Sequence, residues 1–352
     1  MIIIVGEGLA PPESSLRDDT FRQHQERTDI MEYRAIRGTG LKVSRMCLGT
    51  MMFGAQTSRE ESVRIIRAAL DKGVNFFDTA DIYNRGASEE LVGEALEGRR
   101  RDAVIATKVG GPAWFGPGGM GLGRAHVMAA VEDSLRRLRT DHIDIYYYHI
   151  PDHTTPPEEM IGTMDILVRQ GKIRYWGVSN FAAWEIARFI DTARAMGCVP
   201  PVITQSVYNL LTRGADEELL PMIRGYGIGL APFNPLAGGL LTGKHTREAA
   251  AAGSRMADDK GYRMRYWKER NFDAMDELGK LAAEAGMSLL ELAVRWVVSV
   301  PEVSAPIIGV SRLEQLEQNA ALVEKGELDA ELMKKCDSAW AMIKGDWFDY
   351  HR

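Results

Sequence analysis

The feature that most constrains this chain is an eightfold alternation of short apolar runs with segments of helical period. The runs lie at 46–49, 74–77, 103–107, 143–148, 173–178, 202–206, 228–232 and 305–308. Helical segments follow at 60–71, 88–97, 126–138, 158–169, 184–196 and 216–226, then in a long insertion that reaches 298, and finally at 312–323. Apolar runs this short suit strands buried on both faces. The first helical segment carries Val63, Ile66 and Leu70 on one stripe, as a helix packed on a core requires. Regular alternation of strand and helix implies parallel strands. Eight units in 352 residues favour an α/β fold of the closed (β/α)8 barrel type, the TIM barrel; a doubly wound sheet is the alternative. Ahead of the barrel, Tyr33-Arg34-Ala35-Ile36, a Gly38-Thr39-Gly40 turn and the run 41–43 predict an N-terminal β-hairpin, placed to close the lower mouth. The connection 110–123, the insertion 238–267 and the tail after Glu324 are longer than ordinary loops. They follow strand ends or the terminus, so they are placed to wall a pocket on the carboxyl face.

Composition removes other classes. A net charge of -6 argues against a nucleic-acid-binding surface, which needs a basic excess. Arg99-Arg100-Arg101 reads as the solvated carboxyl end of a helix, favoured by the dipole. Cys47, Cys198 and Cys336 are too few and too scattered for a disulfide framework or a zinc site, and Cys47, within an apolar run, reads as a small core residue. This usage suits a reducing cytoplasm. No run approaches the roughly 18 apolar residues of a membrane span, and Glu7 interrupts the apolar start Met1-Ile2-Ile3-Ile4-Val5 too early for a signal peptide.

The chemistry-bearing residues sit where these runs end. Phe76-Phe77-Asp78-Thr79-Ala80-Asp81-Ile82-Tyr83 begins as a buried strand, then presents a carboxylate and, five residues later, a phenol before the Arg85-Gly86 turn. The third run leads into Lys108 and the fourth into His149. Barrel enzymes carry their sites at the carboxyl ends of strands. Asp78, Tyr83, Lys108 and His149, in that order and each at a strand end, resemble the catalytic tetrad of the aldo-keto reductases. The resemblance runs from about residue 33 to about residue 323, in the branch that holds bacterial reductases and potassium-channel β subunits.

That resemblance implies reduction of a carbonyl, with a hydride from one side and a proton from the other. Tyrosine is a reluctant acid at neutral pH, its reference pKa being about 10. An ammonium beside it stabilises the phenolate, and lowering the pKa by two units corresponds to about 2.7 kcal/mol. A lysine in an apolar barrel mouth tends to lose its charge by desolvation, and a carboxylate beside it offsets that cost. His149 would donate a hydrogen bond to the carbonyl oxygen. Singly, each residue has an ordinary reading: Asp78 as a helix cap, Tyr83 as an amphipathic surface residue, Lys108 as a Schiff-base lysine, His149 as a satisfied buried histidine. Taken together they favour the tetrad. His149 and His153 are four apart, but Pro151 interrupts the helix a metal pair would need, so no metal is expected.

The resemblance extends to an NADP site, with NADPH preferred over NADH. Gly177-Val178-Ser179-Asn180 is similar to the family's Gly-x-Ser-Asn segment, which implies that Ser179 and Asn180 hold the nicotinamide carboxamide; helix capping ahead of Ala182 is their ordinary role. Gln205 and Tyr208 match the next segment, implying an amide on the carboxamide and a ring stacked on the nicotinamide. The run from Asn234 through Leu236 and Gly238 to Lys244 resembles the family's pyrophosphate loop, with Asn234 where serine is usual. Gly309, Ser311, Arg312, Gln315, Gln318 and Asn319 match the segment that meets the adenosine phosphate, with Gln318 in place of the usual glutamate. Ser311 and Glu314 also have the spacing of a capping box. The run 116–121 satisfies Gly-x-Gly-x-x-Gly, a weak match far from a strand end, and reads as a lid. Phe53, Trp114 and Trp347 are candidate pocket aromatics.

The expected activity is therefore NADPH-dependent reduction of an aldehyde, ketone or sugar-like carbonyl to an alcohol. Its partner would be a small-molecule substrate, with no nucleic acid or membrane involved, and the sequence sets no oligomeric state. The same resemblance implies a second reading, a nicotinamide-binding sensor subunit with slow turnover. Residues 1–30, with Pro11-Pro12 and a polar run at 17–29, read as a disordered extension, and 31–352 as one barrel domain. A chain beginning at Met31 is expected to fold and to keep full activity, because undocked termini tolerate removal. Thermal melting and turnover of that shortened chain check this, and loss of either shows the extension to be part of the fold.

Overall fold

The computed structural model describes residues 31–111 and 119–345. Residues 1–30, Trp114 and Trp347 lie outside the described residues, as does the first half of the glycine run at 116–121. Tyr33–Ala35 (β1) and Lys42–Ser44 (β2) pair antiparallel, with Tyr33 opposite Ser44. Gly38 supplies the turn's left-handed residue at φ 72°. The second arm starts one residue later than expected because the Leu41 carbonyl closes the turn, accepting from the Ile36 N–H at 2.9 Å.

Eight parallel strands follow: Cys47–Gly49 (β3), Phe76–Asp78 (β4), Val104–Val109 (β5), Ile143–Tyr148 (β6), Ile173–Ser179 (β7), Ile203–Gln205 (β8), Gly229–Leu230 (β9) and Ile307–Gly309 (β10). Their order is β10-β3-β4-β5-β6-β7-β8-β9. The free sides of β9 and β10 meet. Ser304 N–H donates to the Leu230 carbonyl at 2.7 Å and Ile307 N–H to the Pro232 carbonyl at 2.8 Å, with parallel bridges Leu230–Val303 and Phe233–Ile307. The ring is thus a (β/α)8 barrel, and the doubly wound alternative falls away.

Helices Arg59–Asp71, Ala87–Ala95, Arg124–Arg137, Pro157–Arg169, Ala183–Met196, Leu219–Tyr226 and Leu313–Glu324 alternate with the strands. The insertion after β9 folds into Arg255–Asp258, Lys260–Tyr266, Glu269–Glu284 and Leu289–Val298, and Ala330–Lys344 comes last. Local signals set the ends: Ser58 Oγ caps the first of these helices at the Glu61 N–H, and left-handed Gly197 and Gly227 stop two others. The basic run is not the solvated helix end expected. Arg100 turns inward to Asp144 at 2.7 Å and to the Ala103 and His142 carbonyls, while Arg99 pairs with Asp71. Among the described residues no helix is long and apolar enough to cross a membrane.

Successive strand residues face opposite ways, which divides the core in two. Leu48, Phe77, Ile105, Tyr146, Tyr148 and Trp176 point outward to the helices. Cys47, Phe76, Val104, Ala106, Ile145, Tyr147 and Ile203 fill the interior, joined from below by Ile36 and Val43 of the hairpin. The hairpin therefore plugs the lower mouth, leaving the carboxyl face for a site. Gly177 keeps the interior packable, because a Cβ there would overlap the Ile203 carbonyl oxygen and lie 2.8 Å from Tyr147 Cε1. Gly177→Ala is expected to cost about 1–3 kcal/mol of stability through overpacking. An unshifted thermal midpoint would show that the interior has room.

Candidate active site

Asp78 is the last residue of β4 and Lys108 lies inside β5, one residue past the expected strand end. A lysine within a buried strand is tolerated because its head is satisfied on three sides. Lys108 Nζ donates to Asp78 Oδ1 at 2.6 Å, to the Thr79 carbonyl at 2.6 Å and to Tyr83 Oη at 3.2 Å. The two side chains are 1% and 3% exposed. Burial pulls the lysine pKa down, but Asp78 and then Tyr83 raise it further, so the ammonium stays charged. Gln205 Nε2 donates to Asp78 Oδ2 at 2.6 Å, filling the other oxygen.

Tyr83 opens the turn Tyr83–Gly86, in which Asn84 and Arg85 are left-handed at φ 51° and 58°. Such conformations cost of order 1–3 kcal/mol each. The Asn84 amide offsets part of this by donating to the Met51 carbonyl at 3.0 Å and the Phe53 carbonyl at 2.7 Å. The turn carries the phenol back over Lys108, whose Nζ lies 4.7 Å from the ring centre. The expected lowering of the phenol pKa does not follow: burial raises it, Lys108 opposes, and Asp78 adds to the rise. Tyr83 is a protonated donor at neutral pH. His149 faces it edge-on, ring centres 5.9 Å apart. Burial first, and Lys108 second, hold the imidazole down at about 3, so it is neutral and offers one N–H.

These groups open onto a cavity of about 330 Å³ lined by Asp78, Tyr83, His149, Ser179, Asn180, Gln205, Asn234 and Gly309 among others. Asn180, left-handed at φ 65°, donates to the His149 carbonyl at 2.9 Å. It does not cap the following helix, since Glu185 does so by accepting the Ala182 N–H at 2.8 Å. Tyr208 is a correction. It does not line the cavity; its ring lies on Trp296, centres 5.1 Å apart, and its hydroxyl donates to Asp216. Phe233, which follows β9, lines the cavity instead. Phe53 is fully buried, and Met51 and Met52 line the cavity instead.

The remaining expected residues lie farther along the same face. The loop 234–243 turns on left-handed Asn234, Ala237, Gly238 and Gly239, with half-buried Leu236 anchoring it on the core. Arg312 is the exposed residue just before the last barrel helix, close enough to Lys244 to lower that lysine's pKa after burial has done so first. No Ser311–Glu314 capping box forms. Gln315 Oε1 accepts from the Ser311 N–H at 2.8 Å, and Glu61 from a neighbouring helix accepts the Leu313 N–H at 3.1 Å. Gln318 is exposed and Asn319 buried. Sequence reasoning also missed Arg255 and Tyr262, which line the cavity from the insertion. The Arg255 guanidinium lies 4.7 Å above the Tyr262 ring centre, and the Tyr262 hydroxyl donates to Asn234 Oδ1 at 3.3 Å. Their only sequence signal was the insertion's length.

The family model described as the Aldo/keto reductase family matches residues 45–341. The chain belongs to that family. An uncharacterized oxidoreductase of Bacillus subtilis is 39% identical over 315 residues, covering 86% of this chain and 94% of the relative. A probable voltage-gated potassium channel subunit beta of Oryza sativa subsp. japonica is 37% identical over 298 residues, covering 82% and 90%. Aflatoxin B1 aldehyde reductase member 2 of Mus musculus is 34% identical over 339 residues, covering 91% and 90%. As an aldo/keto reductase the chain is an oxidoreductase, and its buried lysine–carboxylate–phenol cluster is the candidate centre. Tyr83→Phe is expected to lower carbonyl reduction by orders of magnitude while leaving coenzyme affinity nearly intact, and Lys108→Met to be severely impaired. Turnover by the Tyr83 variant comparable with the parent, at saturating coenzyme, would remove the phenol from the chemistry.

Proposed function

We propose that the chain reduces an aldehyde or ketone, sugar-like carbonyls included, to the alcohol with NADPH and with Tyr83 as general acid. The observation that carries this reading is the buried Lys108–Tyr83 contact, with Lys108 locked on Asp78 and opening onto the cavity that His149 shares. The residues present suit a dinucleotide. Among the described residues no carboxylate pairs with Lys244, Arg255 or Arg312, although the chain is acidic overall. Burial first and Arg312 second disfavour the Lys244 charge, a cost an anion between the two side chains would relieve. Lys244, Arg255 and Arg312 would hold the phosphates, Phe233 the flat ring, and Asn180, Ser179 and Gln205 its carboxamide. When bound, the coenzyme supplies the hydride. Neutral His149 orients the carbonyl oxygen with its N–H. Tyr83 gives its phenolic proton to the forming alkoxide, and Lys108 stabilises the phenolate left behind. Asp78 keeps Lys108 charged throughout. Coenzyme oxidation followed over a panel of aldehydes and ketones tests the reading, and no turnover with any of them would overturn it.

The likeness to the channel subunit supports a second reading, a nicotinamide-binding regulatory subunit. Coenzyme retained through purification, with negligible single-turnover transfer to every carbonyl, would select it.

Preference for NADPH over NADH is expected to be at least about tenfold, since one charge-assisted bond to the 2′-phosphate contributes about 1.5–3 kcal/mol. Arg312, exposed at the amino end of a barrel helix, would make it. The measurements are kcat/KM for both coenzymes and their dissociation constants from nicotinamide fluorescence, in the parent and in Arg312→Ala. Equal efficiencies in the parent, or an unchanged ratio in the variant, would show that Arg312 does not read the phosphate.

A further inference from the structure

Apart from the side chains that the proposed reaction gives to the coenzyme and to the acid–base chemistry, the cavity is lined by Thr50, Met51, Met52, Ile82 and Tyr262, and by a glycine of β3 and an isoleucine of β10. The two polar side chains among these are already bonded. Thr50 is fully buried, its Oγ1 donating to the Asp78 carbonyl at 3.0 Å and lying 2.7 Å from Ser88 Oγ. Tyr262 donates to Asn234. Met51, Met52 and Ile82 remain, and between them they offer no donor and no acceptor stronger than a thioether.

The segment that carries the phenol also fixes this apolar wall. Asn84, next to Tyr83, donates its amide to the Met51 and Phe53 carbonyls, which ties the 51–53 backbone to the Tyr83 turn. Ile82 directly precedes Tyr83, and Gly111 makes room for it: a Cβ there would stand 2.2 Å from Ile82 Cγ2. The same side of the mouth stays apolar farther out. Exposed Met120, Ile150 and Trp184 follow β5, β6 and β7, the strands that succeed β4 in the ring. The connections that carry the first two are joined, the Leu122 N–H donating to Asp152 Oδ2 at 2.8 Å. The cations Lys244, Arg255 and Arg312 instead follow β9 and β10. One arc of the mouth is cationic and the other is greasy.

We propose, resting on the reductase reading and narrowing it, that Met51, Met52 and Ile82 form the substrate wall and select an apolar carbonyl compound, an alkyl or aryl aldehyde or ketone, over a polyhydroxylated or carboxylated one. A hydroxyl or carboxylate brought against this wall gives up its water and finds no partner. Each methylene buried there instead strengthens binding about fourfold.

The test is kcat/KM with NADPH for three benzaldehydes of similar size, carrying a 4-ethyl, 4-hydroxymethyl or 4-carboxylate group. It is run on the parent, on Ile82→Thr and on the double variant Met51→Gln/Met52→Gln. Both variants nearly keep the shape of the wall while adding hydrogen-bonding groups, and thermal melting checks that they fold. The parent is expected to favour the ethyl compound over the hydroxymethyl one by about tenfold to hundredfold, and over the carboxylate by more. Each variant is expected to shrink the ethyl-to-hydroxymethyl ratio at least about fivefold, through KM with kcat little changed. A ratio near one in the parent overturns the proposal. So does a preference for the carboxylate, which would show Arg255 reading the substrate, and so does an unchanged ratio in both variants, which would put the substrate elsewhere in the cavity. If the parent reduces no carbonyl, the reductase reading fails, and calorimetric binding of the matching benzyl alcohols with NADP present decides the wall by itself. Tighter binding of 4-ethylbenzyl alcohol than of its hydroxymethyl counterpart, weakened by both variants, upholds the wall; equal affinity or no binding overturns it.

Discussion

The carboxyl mouth of this barrel is organised by a charge pair that the interior would otherwise reject. Taking an ammonium and a carboxylate out of water costs several kcal/mol per ion, and mutual attraction repays this only when the remaining donors and acceptors are also satisfied. Asp78 and Lys108 meet that condition because three further groups attend them: the Thr79 carbonyl, Tyr83 and Gln205. The pair therefore fixes β4, β5 and β8 relative to one another as well as serving the chemistry. In the proposed reaction it would also let the tyrosine serve as an acid. The phenol is protonated because it is buried, and the ammonium beside it lowers the cost of giving the proton away.

Much of this was legible before any coordinates. The βα alternation gave the barrel, because strands buried on both faces must be apolar throughout and the helices between them carry one stripe. The tetrad was legible because Asp78, Lys108 and His149 interrupt or end apolar runs at places where a polar group is expensive. What escaped was set by loops, where no period governs the direction of a side chain. Tyr208 and Phe233 both follow strand ends, and the bridge between Val207 and Phe233 turns one ring to the cavity and the other onto Trp296. Nothing in a run of residues says which. Ser311 and Glu314 had the spacing of a capping box, but Gln315 took the Ser311 N–H and Glu61, distant in sequence, took that of Leu313. Arg255 and Tyr262 sit in an insertion whose short helices carry no periodic signal.

The same distinction separates the two halves of the candidate site. The acid–base half is built on strands, with its key contacts between 2.6 and 3.2 Å, and it is rigid by construction. The cations suited to an anion lie on the insertion and at the start of the last barrel helix, two segments joined to the ring through loops. Under the proposed function, the chemistry would fall to the strand-built half and the capture of the coenzyme to residues carried on loops.

The way the ring closes has a consequence for the birth of the protein. Leu230 meets Ser304, and Cys47 meets Ile307, so the first strand acquires its second neighbour only from a segment near the end of the chain. During synthesis, β3 and later β9 remain exposed edges until some 300 residues have emerged, and unpaired edges are templates for association. Contacts this distant in sequence also slow folding. The four residues Asp78, Tyr83, Lys108 and His149 leave the ribosome early, but the interior that makes their charges tolerable is sealed last. Growing chains of this protein therefore carry a polar cluster and two sticky margins through most of translation, and a cell that makes it in quantity must shield them.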